Sequence, residues 1–226
     1  MNPDTTADTD AEGHAPEGVP DVQRATIDRD APTGTDSPTG TNPATVGIVL
    51  CGGASSRMGR DKAMMGNPPW AHRVAQALAE AGCTRIEFQG GDPALATSTW
   101  SYEPDSRPGT GPARALLDAL ERHRGSTVVA AACDLPHLDA AHVRALVDAT
   151  GDPTRSSAYS IDGRLNWSLV CIRTALTEVL GAPGDDGTNR SLTSLLAPHT
   201  DAVTAADPSA VIDLDTPSSL GSATPE

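Results

Sequence analysis

The chain has 226 residues and a formal net charge of −14, with 30 acidic side chains against 16 basic ones. A chain this acidic lacks the basic face that releases counterions from nucleic acid, which excludes non-specific nucleic-acid binding. No apolar run approaches the roughly 20 residues of a spanning helix, and the N-terminus has neither a basic stretch nor an apolar segment of signal-peptide type, so no membrane partner is expected.

Half of the net charge falls in the first 45 residues, where nine acids face only Arg24 and Arg29. That segment is rich in Thr, Pro, Gly and Ala and has no apolar period. It buries too little surface to offset its ordering entropy. Residues 1–44 are therefore predicted to be a disordered acidic tail, and residues 45–222 a folded domain.

From Thr45 the texture changes. Residues 46–50 are a short apolar run closed by Gly52-Gly53, the pattern of a buried parallel strand. After Pro68-Pro69, Val74, Leu78 and Ala81 recur at helical spacing, and Gly82 offers a C-terminal stop. Residues 85–88 read as a second strand ended by Gly90-Gly91. Pro112 sits where a first helical turn accepts proline, with Leu116, Leu117 and Leu120 as the core face. Residues 127–133 are the most strand-like run in the chain. Asp139 caps a helix that carries Val143, Leu146 and Val147. Strand–helix alternation of this kind marks βαβ units and a parallel sheet. Further on, residues 158–161 and 168–172 bracket Asp162-Gly163 as a hairpin. Two short helical patterns follow (175–180 and 191–196), then a last strand at 211–214. The predicted fold is a three-layer α/β/α sandwich with a mostly parallel sheet.

The four cysteines (Cys51, Cys83, Cys133, Cys171) are far apart with no C-x-x-C pair, which fits reduced thiols and a cytoplasmic protein. His137 and His142 are five apart and do not share a helical face, so no zinc site is expected.

The stretch "IVLCGGASSRMGRDKAMM" (48–65) places Arg57, Arg60 and Lys62 just behind the glycine pair. In an open parallel sheet, ligands bind beyond the carboxyl ends of the strands. Glycines let backbone N–H groups approach an anion; Arg57 adds a planar fork and Lys62 a mobile point charge. The set describes a triphosphate cradle. It is not a P-loop, because Gly59 is followed by Arg60-Asp61-Lys62-Ala63. Nor is it a dinucleotide fingerprint, because Gly53 is followed by Ala54-Ser55-Ser56-Arg57. Asp134 follows the apolar run 127–133 directly, so it projects into the same crevice. One or two carboxylates with phosphate oxygens and water suit magnesium.

The full string "LCGGASSRMGRDKA" closely resembles the L-[AC]-G-G-x-S-x-R-M-G-x-D-K-A signature of molybdenum cofactor guanylyltransferases, within the nucleotidyltransferase superfamily. "PDSRPGTGP" (104–112) resembles that family's D-x-x-P-G-x-G-P loop. "VVAAACDLPHL" (128–138) resembles its strand ending in C-D-x-P-[FY]-[LI], and "VIDLDTPSSL" (211–220) its closing N-x-N-T-P-x-[ED]-L. The resemblance covers residues 46–220 and implies a nucleotide-diphospho-sugar-transferase-like fold. It implies that Leu50, Cys51 and Gly52 lie against the nucleotide through their backbone, with Gly53 in the same loop. Lys62 contacts the phosphates, Asp105 contacts the nucleotide and Asp134 holds Mg2+. Gln89 takes the place of an Asn that reads guanine.

Two departures are visible. The usual G-P-L-A-G is Gly111-Pro112-Ala113-Arg114-Ala115. Asp213 and Asp215 stand where guanylyltransferases show Asn; they serve as a second magnesium ligand or as caps of a last helix.

The implied reaction is transfer of GMP from GTP to a molybdopterin phosphate with release of pyrophosphate. Lys62, Arg57 and Asp134 are its catalytic residues, and Arg190 is a candidate for the acceptor's phosphate. Molybdoenzymes or cofactor-synthesis proteins are the implied protein partners. The D-x-D-T-P ending keeps a cytidylyltransferase or another small nucleotidyltransferase as an alternative. The altered G-P-A-R-A loop keeps a non-catalytic nucleotide-binding protein as another.

Overall fold

The structure is a computed structural model and describes residues 43–52, 61–180 and 190–213. Most of the acidic tail, Gly53, Arg57, Arg60 and Asp215 lie outside the described residues.

Among the described residues seven strands form one sheet: β1 (Thr45–Leu50), β2 (Arg85–Gln89), β3 (Ser101–Glu103), β4 (Thr127–Ala132), β5 (Ser156–Ile161), β6 (Arg164–Ile172) and β7 (Thr200–Thr204). Their order is β3-β2-β1-β4-β6-β5-β7, and β6 alone runs antiparallel to its neighbours. The helices are α1 (Trp70–Glu80), α2 (Pro112–Arg122), α3 (Ala140–Ala149), α4 (Thr174–Leu180) and α5 (Leu192–Leu196). None of the described helices is long and apolar enough to cross a membrane.

Strand alternation divides the core between the two faces of the sheet. Val49, Phe88, Val129 and Leu169 pack with Val74 and Leu78 of α1 and with Val143 and Leu146 of α3. Ile48, Val128, Ala130 and Val170 pack with Leu116 and Leu120 of α2, Leu176 of α4 and Leu195 of α5. The result is the expected three-layer sandwich.

Local signals account for most of the boundaries. Asp139 accepts from the N–H of His142 at 2.9 Å and starts α3. After α1, Gly82 donates to Ala79 and Cys83 to Leu78, the paired bonds that close a helix through a glycine. Asp162 and Gly163 both have positive φ and join β5 to β6 in a two-residue turn.

The end of the domain differs from expectation. Residues 208–211 form a 3₁₀ turn in place of the predicted strand 211–214. Asp207 accepts from the N–H of Ser209 at 2.9 Å and Pro208 presets the turn, while the carbonyl of the buried Val211 accepts from Asn166. The edge position is filled instead by β7, whose polar residues pair along β5.

Candidate active site

The order of strands reverses at β1: the chain first builds β2 and β3 on one side, then β4 on the other. The carboxyl ends of β1 and β4 therefore flank a crevice at a topological switch point. The ladder continues past the last paired residues. Cys51 donates to the carbonyl of Gln89 at 2.9 Å, and Cys133 to that of Leu50 at 3.2 Å. This fixes Gly52 and Asp134 at the mouth of the crevice.

Lys62 reaches the crevice from a short 3₁₀ turn that Asp61 caps by accepting from Ala63 N–H. Its Nζ lies 2.9 Å from Asp134 Oδ2, with side chains 15% and 13% exposed. A cation and a carboxylate seventy-two residues apart in sequence are thus in contact where two strands end. The pair lines a cavity of ≈ 310 Å³ together with Leu50, Gly52, Trp167 and Leu192.

A second cavity, of ≈ 190 Å³, opens on the other side of Gly52. Asp105, Arg107, Thr110, Arg114 and Asp118 contribute to its wall, and Leu50, Gly52 and Pro112 border both cavities. Asp105 packs directly on backbone. A Cβ on Gly52 would lie 2.4 Å from its Oδ2, and one on Gly90 2.6 Å from the same atom. No other residue type permits that approach, and Gly90 also has a φ of +72°.

Behind Asp105 lies a buried polar network. Gln89 Nε2 donates to the Pro104 carbonyl at 3.2 Å and to Asp105 Oδ1 at 3.3 Å. Arg122 of α2 donates to the oxygens of both Gln89 and Glu87, and His123 Nε2 donates to Glu87 Oε2 at 3.1 Å. Glu87 and Gln89 have no exposed surface. Burial pushes the Glu87 carboxyl up, but the hydrogen bonds from His123 and Arg122 and the charge of Arg122 outweigh it, and the net shift is downward. Asp118 behaves alike. Burial raises it, whereas hydrogen bonds from Arg114 and Ser106 and the charge of Arg114 hold it lower and ionised.

The crevice floor holds two thiols. Cys51 is raised well above an ordinary thiol by its hydrogen bond with Cys133 and by burial. Burial also raises Cys83 to about 12 and Cys171 to about 11. All four cysteines are buried free thiols, and the raised Cys51, Cys83 and Cys171 are poor nucleophiles at neutral pH.

Among the described residues no three His, Cys, Asp or Glu side chains form a ready metal cage. A lone Asp134 carboxylate at the crevice fits magnesium, which takes its remaining ligands from phosphates and water.

The family described as the MobA-like NTP transferase domain matches residues 47–203. The chain belongs to that family. This MobA-like transferase is 30% identical over 179 residues to a molybdenum cofactor guanylyltransferase from Xanthomonas euvesicatoria, covering 76% of the present chain and 89% of that protein. Its fold is similar to a nucleotidyl transferase from Methanothermobacter thermautotrophicus (TM-score 0.64, 18% identity, 79% and 95% coverage). It is also similar to the molybdopterin-guanine dinucleotide biosynthesis protein A of Archaeoglobus fulgidus (TM-score 0.59, 18% identity, 78% and 95% coverage). The MobA-like chain is thus a nucleotidyltransferase.

Of the site residues expected from the sequence, the MobA-like fold brings Leu50, Cys51, Gly52, Lys62 and Asp134 around one cavity and Asp105 to the wall of its neighbour. Gln89 lines neither cavity and is fully buried in the network behind Asp105. Asp213 lines neither cavity, and Arg190 donates to the Ser194 carbonyl of α5 at 3.0 Å. Asp118 and Trp167 also line these cavities, although neither was expected from the sequence. The Arg114 departure was the one signal that pointed at Asp118, its ion-pair partner four residues on.

Proposed function

We propose that this transferase moves GMP from GTP to the phosphate of a molybdopterin cofactor. A phosphate oxygen of the acceptor attacks the α-phosphorus of GTP, the bond from α-phosphorus to the bridging oxygen breaks, and pyrophosphate leaves. The observation that carries this reading is the Lys62–Asp134 contact at the β1/β4 switch point, on the residues that match the guanylyltransferase motifs.

The two cavities divide the labour. The smaller one takes the nucleoside. The Watson–Crick edge of guanine offers two adjacent N–H donors, which suit carboxylate acceptors such as Asp105 and Asp118. Cytosine offers a single amino group beside two acceptors, so only one of its edge groups could meet those carboxylates. Lys62 neutralises charge on the phosphates, and with Arg57 it holds the outgoing pyrophosphate. Asp134 would hold Mg2+, which when bound supplies Lewis-acid stabilisation of charge on the phosphoryl oxygens. Asp213 or Asp215 is the candidate for a second ligand. The protein acts by placement and charge rather than by covalent chemistry. The cytoplasm, where thiols stay reduced, is the compartment this reading implies.

The test is pyrophosphate release with GTP or CTP, each with and without molybdenum-loaded molybdopterin. Release with GTP that depends on the acceptor supports guanylyl transfer. Release with CTP alone would make the protein a cytidylyltransferase, and no release despite nucleotide binding would make it a binding protein.

A further inference from the structure

The β5–β6 hairpin is regular at both ends and distorted between them. From the turn, Ile161, Ser160 and Tyr159 pair with Arg164, Leu165 and Asn166; at the far end Ala158, Ser157 and Ser156 pair with Val170, Cys171 and Ile172. Trp167, Ser168 and Leu169 thus fall between two consecutive pairs, opposite no residue of β5. Asn166 locks the distortion. Its Oδ1 accepts from the N–H of Ser168 at 2.8 Å, and its Nδ2 donates to the Val211 carbonyl.

The consequence is a change of face. In a regular strand residues 165, 167 and 169 point the same way. Here Leu165 and Trp167 pack against the cluster under α2 and α5, whereas Leu169 is buried in the opposite cluster under α1 and α3. The antiparallel β4–β6 ladder ends at Ala131 opposite Leu169, and beyond it Trp167 lines the same cavity as Cys133 and Asp134. Bulges beside active sites commonly re-aim a side chain in this way. The indole is half-buried and lines the cavity shared by Lys62 and Asp134.

The nucleoside cavity lies at the end of β1, between the 105–111 loop and α2, with Lys62–Asp134 between β1 and β4 and Trp167 on β6. Among the described residues, none that lines the nucleoside cavity is aromatic. We infer that Trp167, with Ser168 and Leu192 beside it, is the platform on which the planar heteroaromatic ring of the acceptor stacks. This rests on the guanylyl-transfer reading and locates the acceptor on the side of Asp134 away from the nucleoside. A flat indole face gains from any π-system laid on it and loses little side-chain freedom in doing so.

The experiment compares Trp167→Ala and Trp167→Phe with the unaltered full chain. KM for acceptor and KM for GTP are measured separately by pyrophosphate release, with thermal melts. Free pterin-6-carboxylate is titrated alongside and followed by its own fluorescence. Trp167→Ala should raise the acceptor KM and the pterin Kd about tenfold, equivalent to ~1.4 kcal/mol. Trp167→Phe should recover most of both, and the GTP KM should stay within about twofold. An unchanged acceptor KM and pterin Kd in Trp167→Ala would overturn the inference. So would a rise confined to the GTP KM, which would make the indole a base contact, or a fall in kcat and melting temperature alone. Absence of turnover in the unaltered protein would overturn the guanylyl-transfer reading instead, and the pterin titration then decides the role of Trp167 by itself.

Discussion

Replacing Arg122 with Met keeps the aliphatic bulk and removes the guanidinium from the network behind Asp105. Glu87, with no exposed surface, is left with His123 alone, and the Gln89 side-chain oxygen loses its donor. Deleting one partner of a fully buried pair costs ~3–5 kcal/mol. Arg122 is 31% exposed, so water reaches one side of the pair and the expected cost falls to about 2–3 kcal/mol. In a domain of this size that lowers Tm by roughly 4–12 °C. The pH dependence has a definite sign. The folded-state pKa of Glu87 is lowered, so its contribution is present above the unfolded value of about 4.3 and is lost as pH falls through the folded value. The difference between the two proteins should therefore be full at pH 7 and shrink below about pH 4. Urea denaturation at both pH values, with Glu87→Gln as the second arm of a double-mutant cycle, measures it. A loss under ~0.5 kcal/mol at pH 7, or the same loss in the Glu87→Gln background, would refute the network as described.

Asp134→Asn keeps size and removes the charge, so turnover should fall by orders of magnitude while Tm moves by no more than about 2 °C; normal pyrophosphate release with an unchanged magnesium midpoint would remove Asp134 from the site. Gly52→Ala places a methyl 2.4 Å from Asp105 Oδ2 and should weaken GTP binding at least tenfold with little change in urea midpoint, as read by equilibrium titration. Lys62→Ala should weaken triphosphate binding more than Arg60→Ala, because Lys62 meets Asp134 and holds the motif's lysine position; equal losses in a titration would mean that bulk charge explains the cluster.

The strands that lead into the candidate site were legible because they are buried. The run 46–50 and the run 127–133 are apolar on both faces, as central parallel strands must be, and the residues that follow them, Gly52 and Asp134, were placed by that alone. β3 and β7 were not legible. One has three residues, and the other is an edge strand whose Thr, Asp and Ala face solvent, so neither needs an apolar pattern. Val211 misled for the opposite reason: it is fully buried, but by a capped 3₁₀ turn rather than by a strand. Gln89 was expected to read guanine in the place of an Asn, yet its amide nitrogen meets the Pro104 carbonyl and Asp105 while its oxygen accepts from Arg122. That role depends on two distant segments. Trp167 depends on a bulge that no local residue pattern announces.

The central claim is that the α-phosphoryl group of GTP ends up on the acceptor. Incubation of the full chain with an equimolar mixture of GTP and CTP, Mg2+ and molybdenum-loaded molybdopterin, followed by mass spectrometry of the released cofactor, tests it most directly. Guanylyl transfer yields a cofactor enlarged by one guanylyl group, with pyrophosphate released in equal amount and no product from Asp134→Asn. A cytidylyl product, or an acceptor unchanged while GTP is hydrolysed, would contradict it.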